Sequence, residues 1–134
     1  MTRHRLRMIA VQSLFAWEFS PMETDELFKF EWLSQKDVMS EADKAFVIAT
    51  VKGTIENCSQ IDKIIQDHLE GWEFSRVCRT NIAILRLSIY TLLFQKNIDK
   101  KIVINEAILL AKEFSPDASY KYVNAVLDKV SVGE

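Results

Sequence analysis

Apolar residues recur at helical spacing along almost the whole chain. From Arg5 to Trp17 there are two apolar faces, Leu6, Ala10, Leu14 and Trp17 on one and Met8, Val11 and Phe15 on the other. That pattern predicts a helix wedged between neighbours, with Arg5 and Gln12 aligned at i, i+7 on a narrow polar strip. Ser20-Pro21 has the form of an N-cap followed by proline at N1 and predicts a second helix near 23–35, carrying Leu27, Phe28, Phe30 and Trp32 among acids. Ser40-x-x-Asp43 and Ser59-x-x-Asp62 resemble capping boxes, opening a third helix through about Asn57 and a fourth ending near Gly71. The fifth, about Arg76 to Gln95, is apolar nearly all round from Ile82 to Phe94 and should be the central buried helix. Its exceptions, Arg79 and Arg86, share a face at i, i+7. A sixth, near 102–114, turns Ile104, Ala107, Ile108 and Ala111 inward, and Ser115-Pro116-Asp117 starts a seventh that buries Val123, Val126, Leu127 and Val130.

Composition supports this pattern. Three glycines and two prolines in 134 residues leave few helix breakers, so the expected fold is all-α, about seven helices in one domain covering 1–134. The most apolar run, 82–94, is interrupted by Arg86, Ser88 and Thr91 and falls short of the ~20 residues that span a bilayer. The N-terminus has charge but no apolar stretch of the secretory kind, so the expected location is cytoplasmic. Cys58 and Cys78 lie 20 apart with only His4 and His68 for company, which favours free thiols over a disulfide or a zinc site. No metal or cofactor is expected.

Charge changes the picture more. The net charge is -2, yet residues 1–17 hold three bases and no acid, 18–75 thirteen acids and five bases, and 76–134 nine bases and six acids. Basic ends around an acidic middle suit a chain that offers one face to a polyanion and another to a basic partner. The arm Arg3, Arg5, Arg7 is especially telling, because each exposed cation at a helix start opposes the backbone dipole by ~0.3–1 kcal/mol. Guanidinium forks match phosphates, and their planes stack on unpaired bases. Near the other end, SYKYVN (119–124) clusters hydroxyls, an amine, two rings and an amide, with Lys121 turned away from the apolar stripe and Tyr122 at its edge. A half-exposed ring there suits base stacking, worth ~1–3 kcal/mol per base. Phosphate-binding loops, dinucleotide fingerprints and zinc-protease motifs are all missing. Asp67-His68 beside Glu70 lacks a nucleophile, and Cys78 reads as a buried structural thiol, so an enzyme is not expected.

Three stretches together resemble the NusB family of bacterial transcription antitermination factors. RHRLRMIAVQSLFAW is similar to the family's Arg-rich arm followed by A-x-Q-x-L-[YF], and NIAILRLSIYTLL to its central helix. IVINEAILLAKEFSPDASYKYVNAVLDKV carries I-N-E-A-x-x-L-A-K-x-F and then S-x-K-[FY]-V-N-x-[VI]-L-D. The resemblance implies two small packed helical bundles and RNA binding without catalysis. It implies boxA-type RNA as ligand, NusE (a small-subunit ribosomal protein) as heterodimer partner, and RNA polymerase with other Nus factors as the setting, a homodimer of the free chain being a further option. Mapped onto this chain, the RNA-binding positions are Arg3, Arg5, Arg7, Gln12, Ser119, Lys121, Tyr122 and Asn124. The chain departs from the family pattern at Asn81, Ala118 and Ala125, commonly acid, acid and glycine. We place the expected partner contact at the first turns of the fifth helix, around Arg76, Arg79, Thr80 and Asn81. Two alternatives stay open: a stand-alone helical adaptor in rRNA processing or ribosome assembly, and a protein-interaction module whose arginines only solubilise it. The arm itself is expected to be loose until RNA arrives.

Overall fold

The computed structural model describes residues 1–19, 24–33, 38–69, 73–95, 97–114 and 120–130, with Thr24 and Arg76 described by backbone alone. These form α1 (Arg3–Phe19), α2 (Thr24–Leu27), α3 (Glu41–Glu56), α4 (Cys58–Asp67), a 3-10 turn (Phe74–Arg76), α5 (Arg79–Phe94), α6 (Lys100–Phe114) and α7 (Tyr120–Lys129). There is no strand among the described residues. No helix among them is long and apolar enough to cross a membrane, and they contain no cluster of three or more metal-binding side chains.

α5 is the strut shared by two small bundles. It packs against α1, α3 and α4 on one side and α6 and α7 on the other. Residues 81–89 and 91–93 of α5 are all buried. The hydroxyls caught there stay satisfied within the helix, Ser88 donating to the Ile84 carbonyl (2.8 Å) and Thr91 to that of Leu87 (3.0 Å). α1 turns Leu6, Ile9, Ala10, Val11 and Leu14 into the core, with Met8, Phe15 and Trp17 half-buried at its margins. The α7 stripe of Val123, Val126, Leu127 and Val130 is buried as expected. α6 is rotated from its expected setting. Val103 and Leu110 join Ala107 and Ala111 inside, while Ile104 and Ile108 are only half-buried.

The capping box opening α3 is present. Ser40 Oγ accepts from the Asp43 amide (3.1 Å), and Asp43 accepts from the Ser40 amide (3.2 Å), a motif worth ~1 kcal/mol. That backbone hydrogen bond holds the Asp43 carboxyl below its ordinary pKa, against a smaller opposing effect of burial.

Three further expectations are corrected. The second helix is a single turn, Thr24–Leu27, because Phe30 takes φ 54°, a left-handed setting that ends any helix. The chain there folds back so that Leu27 and Phe30 are buried and Trp32 Nε1 donates to the Leu27 carbonyl (3.3 Å). Ser59 does not cap α4, which begins at Cys58 directly after α3, and Asp62 is drawn away to Arg86. α5 starts at Arg79, since Phe74–Arg76 form the 3-10 turn and Val77 is extended. The caps expected at Ser20-Pro21 and Ser115-Pro116-Asp117, and the fourth helix's end at Gly71, lie outside the described residues.

Candidate nucleic-acid interface

The arm begins the helix. α1 starts at Arg3, and Thr2 caps it by accepting the Arg5 amide on its hydroxyl (3.1 Å) and the Leu6 amide on its carbonyl (3.1 Å). Two contacts then hold this turn to its neighbours. The Arg3 guanidinium lies over the Phe46 ring of α3, 3.9 Å from its centroid. His4 Nδ1 donates to Glu106 Oε1 of α6 at 2.7 Å. The arm expected to be loose is therefore capped and held on two sides.

Its arginines do not share one face. At ~100° per residue, Arg3 and Arg7 lie one turn apart on the same side of α1, whereas Arg5 points about 160° away, beside Gln12. Gln12 joins Val11, Phe15, Thr80 and Phe114 around a groove of about 220 Å³ between α1, the start of α5 and the end of α6. Gln12 Oε1 is buried and accepts no hydrogen bond among the described residues. Gln12 and Thr80, assigned from sequence to different partners, thus border one groove.

On α7, Lys121 and Asn124 are exposed and Tyr122 is half-buried at the edge of the apolar stripe. Burial raises the Tyr122 hydroxyl pKa, so it stays protonated and able to donate. The ring of Tyr120, first residue of α7, lies under Lys112 Nζ of α6 (4.7 Å). Ser119 lies outside the described residues. The two ends singled out by the sequence therefore rest on one segment of α6, the arm through His4 on Glu106 and α7 through Tyr120 on Lys112.

The positions expected to meet a protein partner are more internal. Arg79 donates through Nη2 to Glu18 Oε1 of α1 and faces the Phe74 ring. Asn81 is buried, with Oδ1 accepting no hydrogen bond among the described residues, so it offers a partner no surface of its own. Thr80 is half-exposed, and of Arg76 only the backbone is described. The shared face of Arg79 and Arg86 has a physical reason, because both converge on Glu18. Arg86 also grips Asp62 through Nε (2.8 Å) and Nη2 (2.9 Å), and its Nη1 lies 3.3 Å from Glu18 Oε2. Burial, with a contribution from the Arg86 charge, lowers the Arg79 pKa; for Arg86 burial acts downward, but the hydrogen bonds and charge of Asp62, with a contribution from Cys58, raise it on balance. His4, Glu106 and Glu18 were not singled out from sequence, although Glu106 stands in the I-N-E-A motif.

The family model described as the NusB family matches residues 4–132. The chain belongs to the NusB family. The transcription antitermination protein NusB of Treponema denticola is 44% identical over 128 residues, covering 96% of this chain and 94% of that protein. Among solved structures, Thermotoga maritima NusB superposes with a TM-score of 0.85 at 32% identity, covering 96% of this chain and 89% of its own. A complex of the antitermination factors NusB and NusE with double-stranded RNA matches with a TM-score of 0.81 at 27% identity, covering 96% of each chain. NusB-family transcription antitermination is thus the setting for the site described above.

Proposed function

We propose that this chain is a non-catalytic, cytoplasmic RNA-binding antitermination factor that takes boxA-type RNA through Arg3, Arg5, Arg7, Gln12, Ser119, Lys121, Tyr122 and Asn124. It does so as a heterodimer with NusE, in a complex with RNA polymerase and other Nus factors. The observation that carries this reading is the α6 segment from Glu106 to Lys112, which carries both the arginine arm and the start of α7. Cations at the start of α1 and a stackable ring on α7 are thereby tied to one helix, which suits a single-stranded polyanion with unpaired bases. The NusE contact is placed at the first turns of α5, around Arg76, Arg79, Thr80 and Asn81, where Thr80 is half-exposed and the buried Asn81 shapes the surface from within.

Salt titration of RNA affinity tests the reading. For single-stranded RNA, log K falls by ~0.7 per neutralised phosphate for each tenfold rise in salt. Replacing Arg3, Arg5 and Arg7 together by Ala should weaken binding and flatten the slope by about 2 units. A boxA-type strand and a duplex of the same sequence, each with and without NusE, complete the measurement. Unchanged affinity and slope in the triple variant would exclude the arm. No binding by the wild type in any arm would favour the interaction-module alternative.

A further inference from the structure

An acid beside a phosphate-binding arm needs a reason, because its charge alone repels the ligand. The first turn of α1 contains cations and no acid, so nothing on α1 offsets the positive end of the helix dipole or the charges added to it. Glu106, on α6, reaches that turn. Its carboxylate takes the His4 Nδ1 proton in a short, 2.7 Å hydrogen bond while its side chain is only 16% exposed. Because a carboxylate oxygen only accepts, the ring proton sits on Nδ1 and the orientation of the ring is fixed. Arg7 and Glu106 also line one small cavity, about 10 Å³, together with Ser88 and Thr91 of α5. That space holds one water at most. Elsewhere α1 packs mainly on α3 and α5, so this contact sets how its first turn lies against α6.

We infer that Glu106 is a positioning residue for RNA binding. It supplies from α6 the acid that α1 lacks, holds His4, and so fixes the direction in which Arg5 and Arg7 leave the helix. This inference rests on the RNA reading above. It makes a prediction of opposite sign to simple repulsion. Glu113 provides the contrast: 53% exposed, and 4.0 Å from His4 Nε2, it contributes charge without a hydrogen bond.

The test uses the full chain, a boxA-type single-stranded RNA and the variants Glu106→Ala, Glu106→Gln and Glu113→Gln. Glu113→Gln removes a negative charge and should leave affinity equal or up to about 2-fold tighter, since exposed charges are largely screened. Glu106→Ala removes the same charge yet should weaken binding about 5-fold or more and flatten the salt slope by ~0.7, one phosphate contact. Glu106→Gln keeps an acceptor for His4 Nδ1 and should restore most of the affinity. In the free protein, hydrogen exchange at the Leu6, Arg7 and Met8 amides should quicken several-fold in Glu106→Ala but not in Glu113→Gln. Tighter RNA binding by Glu106→Ala, or unchanged exchange at those amides, would overturn the inference. If the wild type bound no RNA, the functional reading would fall, and the exchange measurement would still decide whether Glu106 holds the arm.

Discussion

Replacing Arg86 by Met removes the centre of the charge cluster that ties α1, α4 and α5 together. Its side chain is 6% exposed and faces two carboxylates, Asp62 through two hydrogen bonds of 2.8 and 2.9 Å and Glu18 at 3.3 Å. Methionine fills much of the volume, so the cost is electrostatic: Glu18 retains Arg79, while Asp62 loses its cation. Breaking a buried pair by removing one partner costs ~3–5 kcal/mol, and two charges ~4 Å apart at an effective dielectric near 20 give a similar ~4 kcal/mol. Glu18 and Asp62 are 19% and 20% exposed and recover some hydration, which places the expected loss near the lower end, about 3 kcal/mol. In a chain of this length that lowers Tm by about 10 °C. Urea denaturation at pH 7 should show the midpoint fall with the m-value unchanged. Adding Asp62→Leu removes the stranded charge and should recover at least half of the loss, since an apolar replacement of a whole buried pair is often neutral. A loss below about 1 kcal/mol in Arg86→Met, or a double variant no more stable than the single, would refute this account.

Two further outcomes follow from local geometry. Gly53→Ala should destabilise by about 1 kcal/mol although helix propensity alone promises a gain of about that size, because the new Cβ overlaps the Tyr90 hydroxyl and ring. In a Tyr90→Ala background the same change should become stabilising, and urea midpoints showing a gain in both backgrounds would contradict the packing. The Cys58 thiol pKa is pushed up to about 11, chiefly by burial, with Arg86 opposing and Asp62 adding, while Cys78, expected from the sequence to be a buried structural thiol, is exposed. At pH 8 iodoacetamide should therefore label Cys78 first and Cys58 at least ~10-fold more slowly, the scarcer thiolate being partly offset by its greater nucleophilicity. The sign for stability follows: the unfolded chain loses this proton first, so stability falls as pH rises from about 9 towards 11, and urea midpoints across that range check it.

Helices read from the sequence held where a single apolar stripe defined the buried face. α7 shows this, its four aliphatic residues buried as spaced. α5 shows the other legible case, a run too apolar to face water on any side. Misreadings came where a residue served a partner distant in sequence. Asp62 has the spacing of a cap, yet Arg86, 24 residues on, outcompetes a local amide for it. Phe28 and Trp32, one turn apart, fit a helix, but burial of Phe30 wins by turning the backbone left-handed. For the candidate site, motifs named the residues, and local spacing correctly put Arg5 with Gln12 and Tyr122 at a stripe's edge. Asn81 could not be placed, because its burial depends on how α1, α3 and α6 close around α5.

The arginine arm has a tertiary explanation that no inspection of α1 alone supplies. Judged by helix rules, Arg3, Arg5 and Arg7 stand where acids belong. In the folded chain the missing negative potential comes from other helices: the face of the Phe46 ring lies under Arg3, and the Glu106 carboxylate takes His4. These supports act on the side of α1 that carries Arg3 and Arg7, and leave the opposite strip, with Arg5 and Gln12, leading to the groove at Thr80. A strand touching all three guanidiniums must then cross the N-terminal end of α1, where the cap at Thr2 and the hold on His4 keep the turn in one place. If RNA binds there as proposed, such a turn has less ordering entropy still to lose than a frayed one.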